Sequence, residues 1–131
     1  MPQVTGPFEV KLTPQQADSR LAAAFLGRFN LDKTFSGPLE ASSVGQMLAS
    51  RSAVDGSAGY VAMEQVAGTL DGKAGSFVLQ HSGHAARGEQ SLTITVVADS
   101  GTGALTGLQG KMQIVIAEGG AHSYILDYEL P

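Results

Sequence analysis

Three side chains in this sequence have the types and spacing for acid–base chemistry: the phenol of Tyr60, the carboxylate of Glu64 and the imidazole of His81. They flank Asp71-Gly72, a dipeptide that between two β-rich runs signals a two-residue type I′ turn, because both central residues then take positive φ. With that corner fixed, Leu70 faces Lys73, Val66 faces Phe77, Glu64 faces Leu79 and Ala62 faces His81. Side chains alternate across a strand, so one face of the ribbon shows Tyr60, Ala62, Glu64, Val66, Phe77, Leu79 and His81. Glu64 and His81 become diagonal neighbours there, within reach of each other. The opposite face shows Val61, Met63, Gln65, Val78, Gln80 and Ser82. Were the pairing inverted by one residue, Gln80 and Ser82 would face the interior in place of Glu64 and His81.

The apolar company of Val66, Phe77 and Leu79 points the first face inward. A carboxylate in such a place is pushed up by desolvation and pulled down by a nearby imidazolium. Glu64 and His81 are therefore expected to be able to trade a proton near neutral pH, as a general acid and base must. The plainer alternative is a buried polar pair that satisfies its own hydrogen bonds and fixes strand register. Glu40, Gln80 and Ser82 rank behind these residues.

Other chemistry is poorly served. Cys is absent, which excludes disulfides, thiolate nucleophiles and Cys-ligated metals. His81 and His84, three apart on extended chain, point to opposite sides, and His122 does not converge with them by sequence, so no metal site is assigned. The loop Asp99-Ser-Gly-Thr-Gly103 lacks the Lys-Ser/Thr ending of a phosphate-binding loop and reads as structural, Asp99 and Ser100 bonding their own turn. Ser82 lacks the Gly-x-Ser-x-Gly context of a nucleophile elbow. No cofactor motif is read.

The elements that must position these groups are mostly strands. Phe8 to Leu12 alternates, with Phe8, Val10 and Leu12 on one face, and Pro14 is expected to end it. Gln15 to Leu26 is read as a loop or short helical turn. A strand of about ten residues follows, in which Phe29, Leu31 and Phe35 recur at period two. After Gly37-Pro38, Leu39 to Ser50 reads as a third strand, although its propensity also allows a short helix. The central hairpin supplies two more, and Gly83 to Gly88 connects it to the β-rich run Gln90 to Val97. Beyond a glycine-rich loop with room for one helical turn come Lys111 to Ala117, with Met112, Ile114 and Ile116 on one face, and His122 to Leu130, where Tyr124, Leu126 and Tyr128 share a face. About eight strands joined by short turns favour an all-β, eight-stranded antiparallel up-and-down barrel. Closure removes exposed edges, which is why a barrel is preferred to a sandwich.

Several phrases in order and spacing carry a resemblance. They are Phe35-Ser-Gly-Pro-Leu-Glu40 with Gly45-Gln-Met-Leu48, Gly59-Tyr-Val-Ala-Met-Glu64, Gly75-Ser-Phe-Val-Leu-Gln-His-Ser-Gly83, Asp99-Ser-Gly-Thr-Gly103 with Leu108-Gln-Gly110, and His122-Ser-Tyr124 with Asp127-Tyr128. Together they resemble a bacterial family known as domain of unknown function 3224, over nearly the whole chain. The resemblance implies a small antiparallel barrel similar to that of plant allene oxide cyclase, whose relatives include cyclases. It implies no particular reaction.

Length and composition bound the rest. The 131 residues suit one domain, 1–131, and with 15% charged residues the chain is not of disordered type. A formal net charge of −4, with eight unclustered Lys and Arg, argues against nucleic acid as partner. The N-terminus lacks the pattern of a signal peptide and no apolar run is long enough to span a bilayer, so a cytoplasmic protein without a membrane partner is expected. The expected function is binding of a small, largely apolar metabolite inside the barrel. The walls would come from Phe8, Phe29, Leu31, Phe77, Leu79, Leu92, Ile94, Ile114, Tyr124 and Leu126, with Tyr60, Glu64 and His81 orienting the ligand. Two alternatives stand beside it: a cyclase or isomerase working through Glu64 and His81, and a filled barrel serving as an oligomer scaffold. Homo-oligomerisation is expected, because an outer face carrying Val61, Met63 and Val78 needs covering.

Overall fold

The computed structural model describes residues 2–16 and 26–131. Eight strands, β1 (Gln3–Gln15), β2 (Leu26–Phe35), β3 (Leu39–Arg51), β4 (Ala58–Leu70), β5 (Lys73–Ala86), β6 (Glu89–Val96), β7 (Gln109–Ile116) and β8 (His122–Glu129), close into one barrel in sequence order. Every neighbouring pair is antiparallel, and β1 closes the ring against β8. The Ala-rich stretch read as a loop or helical turn falls mostly on 17–25, outside the described residues.

The central hairpin has the expected register. Asp71 and Gly72 both take positive φ, 49° and 81°, and Leu70 pairs Lys73, Val66 pairs Phe77, Glu64 pairs Leu79 and Ala62 pairs His81. Leu39–Arg51 is strand throughout, not helix.

Two boundaries differ from expectation. Pro14 does not end the first strand but pairs with Phe29. The β8 ladder reaches only from Gln3 to Phe8, so Pro14 lies where β1 has a partner on one side, and a missing N–H is tolerated there. Gly83 to Gly88 is not a connection: β5 runs on to Ala86, and Arg87-Gly88, again with both φ positive (50° and 92°), makes a second two-residue turn.

The barrel is filled over half its length. Phe8, Phe35, Leu39, Val66, Leu70, Phe77, Leu79, Ile94, Met112, Tyr124, Leu126 and Tyr128 pack into a core. The segment after β6 plugs that end, seating Leu105 and Leu108 from a 3₁₀ turn at Gly103–Leu105. Ser100 and Thr102 tie it to β5: Ser100 Oγ accepts from Val78 N at 3.0 Å and Thr102 Oγ1 accepts from Ser76 N at 3.1 Å.

At the other end several inward positions are small: Gly27, Ala49, Ala58, Gly83 and Ala85. The wall also parts there. β6 and β7 are paired only at Ile94–Met112 and Thr95–Lys111, so Leu92 and Ile114 lie beyond the ladder. Among the described residues, small side chains and a split wall leave one half of the barrel open.

Candidate binding and acid–base site

Between the packed and the open halves lies a layer of buried polar groups. Glu64, 1% exposed, points inward from β4. Its Oε1 accepts from Lys33 Nζ at 2.9 Å and from His81 Nε2 at 2.6 Å, and its Oε2 accepts from Ser43 Oγ at 2.5 Å. Lys33 and Ser43 face each other across β2 and β3. Gly45 of β3 pairs with Glu64, and a Cβ there would stand 2.7 Å from the Glu64 Cβ, so a glycine is what lets the carboxylate lie across β3 towards β2. The Lys33 ammonium also sits 5.2 Å from the Phe8 ring centroid and 5.9 Å from that of Phe35.

Burial pushes the Glu64 carboxyl up, but the hydrogen bond from His81, the Lys33 charge and the bond from Ser43 outweigh it and bring it down to about 2. The expectation of a proton traded between Glu64 and His81 near neutral pH is corrected accordingly. Three donors hold Glu64 as a carboxylate, and a carboxylate acceptor requires the proton of the short contact to sit on His81 Nε2.

Above this layer the open half forms a cavity of about 950 Å³. Phe29, Met47, Leu92, Ile114 and Ile116 supply its apolar walls, the small residues its breadth, and Arg51 and His84 stand at its edge. Tyr60 is its aromatic polar residue. The ring packs over Gly83, where a Cβ would lie 2.1 Å from Tyr60 Cε1, and its centroid is 6.3 Å from that of His81. Burial and the Glu64 charge both raise the Tyr60 phenol, which stays protonated.

A family profile described as "Protein of unknown function (DUF3224)" matches residues 4–128. The chain belongs to that family. It is similar over its full length to the crystal structure of a protein with unknown function from the DUF3224 family of Shewanella oneidensis MR-1, with 52% identity, 98% of that chain covered and a TM-score of 0.94. No curated protein matches the chain.

The DUF3224 barrel distributes the residues singled out by sequence unevenly. Tyr60, Phe29, Ile114 and Leu92 line the cavity. Glu64 and His81 meet, directly beneath it. Phe77, Leu79, Ile94, Leu126 and Phe8 lie in the packed half. Tyr124 does too, with its hydroxyl committed: it donates to Ser36 O at 2.7 Å and accepts from Leu39 N at 3.0 Å, joining β8 to the β2–β3 turn. Gln80 and Ser82 face outward and are exposed, as is Glu40. His84 faces outward, away from His81, and His122 packs on Phe8 with ring centroids 5.3 Å apart. Among the described residues no three His, Asp or Glu gather at metal-binding distance.

Lys33 and Ser43 escaped the sequence reading, although both occupy the inward positions of alternating strands. Phe29, Leu31, Lys33 and Phe35 form one series, and a lysine inside an apolar series is the signal that marks a buried partner for an acid.

Proposed function

We propose that this protein binds a small, largely apolar molecule in the open half of its barrel. The observation that carries the reading is the contrast between halves: large side chains fill one end, while inward Gly and Ala at the other leave about 950 Å³ with apolar walls. The chain has no Trp, so a bound fluorophore is read without indole background. Titration with the neutral dye N-phenylnaphthylamine should give saturable enhancement that the double variant Ala49→Phe/Ala85→Phe, which narrows the lumen from two facing walls without adding an indole, weakens while the far-ultraviolet spectrum stays unchanged. Equal enhancement in both proteins would contradict the reading.

A cyclase or isomerase, in the manner expected of an allene oxide cyclase-like barrel, is the second reading. The short His81–Glu64 contact beneath Tyr60 favours it. In that case Glu64 would be the anion that orients the imidazole and His81 the group that moves the proton. It ranks second because neither residue is part of the cavity wall.

We further propose that the barrel acts as a homo-oligomer. Two copies with a net charge of −4 repel, and the outward residues of β3, β4 and β5 offer a way to meet: they include one carboxylate, Glu40, and no Lys or Arg. Their centre is apolar, with Leu48 paired to Val61 and exposed Val44 and Met63 on either side. A second copy of this chain suits such a face, since its flanking amides, Gln46, Gln65 and Gln80, both donate and accept.

A further inference from the structure

The cavity has one aromatic hydroxyl, and its partner is a matter of accounting. Of the three tyrosines, Tyr124 bonds Ser36 and Leu39, and Tyr128 bonds the Asp71 carboxylate. Among the described residues the Tyr60 hydroxyl has no protein partner, yet no buried side-chain oxygen or nitrogen is left unsatisfied. The hydroxyl is therefore not sealed off by the described residues, and the residue that carries it lines the cavity.

From these relations we infer that the ligand carries an uncharged oxygen, such as a ketone, ester or ether, which accepts a hydrogen bond from Tyr60 at the deep end of the cavity. The inference rests on the binding reading above and adds the chemical class. Three features select an uncharged acceptor. The surrounding walls are apolar, so an ion there loses its hydration without compensation. The nearest buried anion, Glu64, hydrogen-bonded to the His81 ring that stands 6.3 Å from that of Tyr60, opposes a second negative charge there and, after burial, adds to the upward shift of the Tyr60 phenol. Lys33, the one buried cation among the described residues, is spent on Glu64 and held between Phe8 and Phe35.

Competition against N-phenylnaphthylamine with ethylnaphthalene, acetylnaphthalene and naphthoate tests this, each on the wild type and on Tyr60→Phe. Phenylalanine keeps the ring on Gly83, and circular dichroism confirms the fold. One recovered hydrogen bond corresponds to a preference of about fivefold for the ketone over the hydrocarbon in the wild type, with the carboxylate weaker than the ketone. In Tyr60→Phe the preference should vanish while the hydrocarbon binds as before. Equal wild-type affinity for ketone and hydrocarbon, a preference that survives Tyr60→Phe, or tightest binding of naphthoate would each overturn the inference while leaving the cavity reading intact. Failure of both the dye and all three competitors to bind would remove that reading and the inference with it.

Discussion

Lys33 and Glu64, 31 positions apart in sequence and carried by β2 and β4, meet at 2.9 Å inside the barrel with a glycine of the intervening strand between them. This ion pair divides the molecule. Below it the lumen is packed, and above it the lumen is open.

The pair should be costly to break and cheaper to delete. Lys33→Met leaves Glu64 buried among fewer donors, and Glu64→Gln leaves a buried ammonium; each should lose about 3–5 kcal/mol in urea unfolding. The double variant, with neither charge left, should recover at least about 2 kcal/mol of the summed loss. Strict additivity would show that the two side chains do not act together.

Acid should unfold the protein through Glu64. Its carboxyl lies lower in the folded chain, at about 2, than the ordinary value of 4.5. The unfolded chain therefore takes up the proton first. The stabilisation is complete above pH 4.5 and is lost as pH falls towards 2, to a total of about 3 kcal/mol. Stability measured at intervals over that window should fall less steeply in Glu64→Gln than in the wild type.

Gly45→Ala should destabilise the barrel although the site is in a regular strand. The new methyl would stand 2.3 Å from Met63 O and 2.7 Å from Glu64 Cα, backbone atoms that cannot swing away. Overpacking of this kind costs about 1–3 kcal/mol. A thermal midpoint equal to the wild type would mean that β3 and β4 are further apart than described.

Self-association should depend on the uncharged outer face. Sedimentation of Val61→Lys or Met63→Glu should show a smaller species than the wild type, with the far-ultraviolet spectrum preserved. A monomeric wild type, or variants that sediment unchanged, would remove this face as the contact.

Much of this was legible from residues alone, and the parts that were not have physical causes. Asp71-Gly72 allows one turn geometry, and that turn fixes thirteen ladder pairs, so the shared face of Glu64 and His81 followed directly. Lys33 and Ser43 did not follow, because their height relative to Glu64 depends on how β2 and β3 stagger around a closed barrel, which no local turn sets. The same stagger put Phe77, Leu79, Ile94 and Tyr124 in the packed half and Phe29 and Ile114 in the open half, although all six alternate inward. Pro14 continues its strand because β1 has a partner on one side only at that point, a fact of closure that no local pattern carries. The cavity itself was written in Gly27, Ala49, Gly83 and Ala85, residues whose significance lies in the volume they leave empty.

Native mass spectrometry of the protein purified gently from its own host addresses the central claim most directly. The wild type should carry a small molecule, released on denaturation, whose mass and retention mark it as apolar, and Ala49→Phe/Ala85→Phe prepared in parallel should carry less of it. A wild type that flies at the mass of its bare chain, or an adduct equally present in the narrowed variant, would contradict the account.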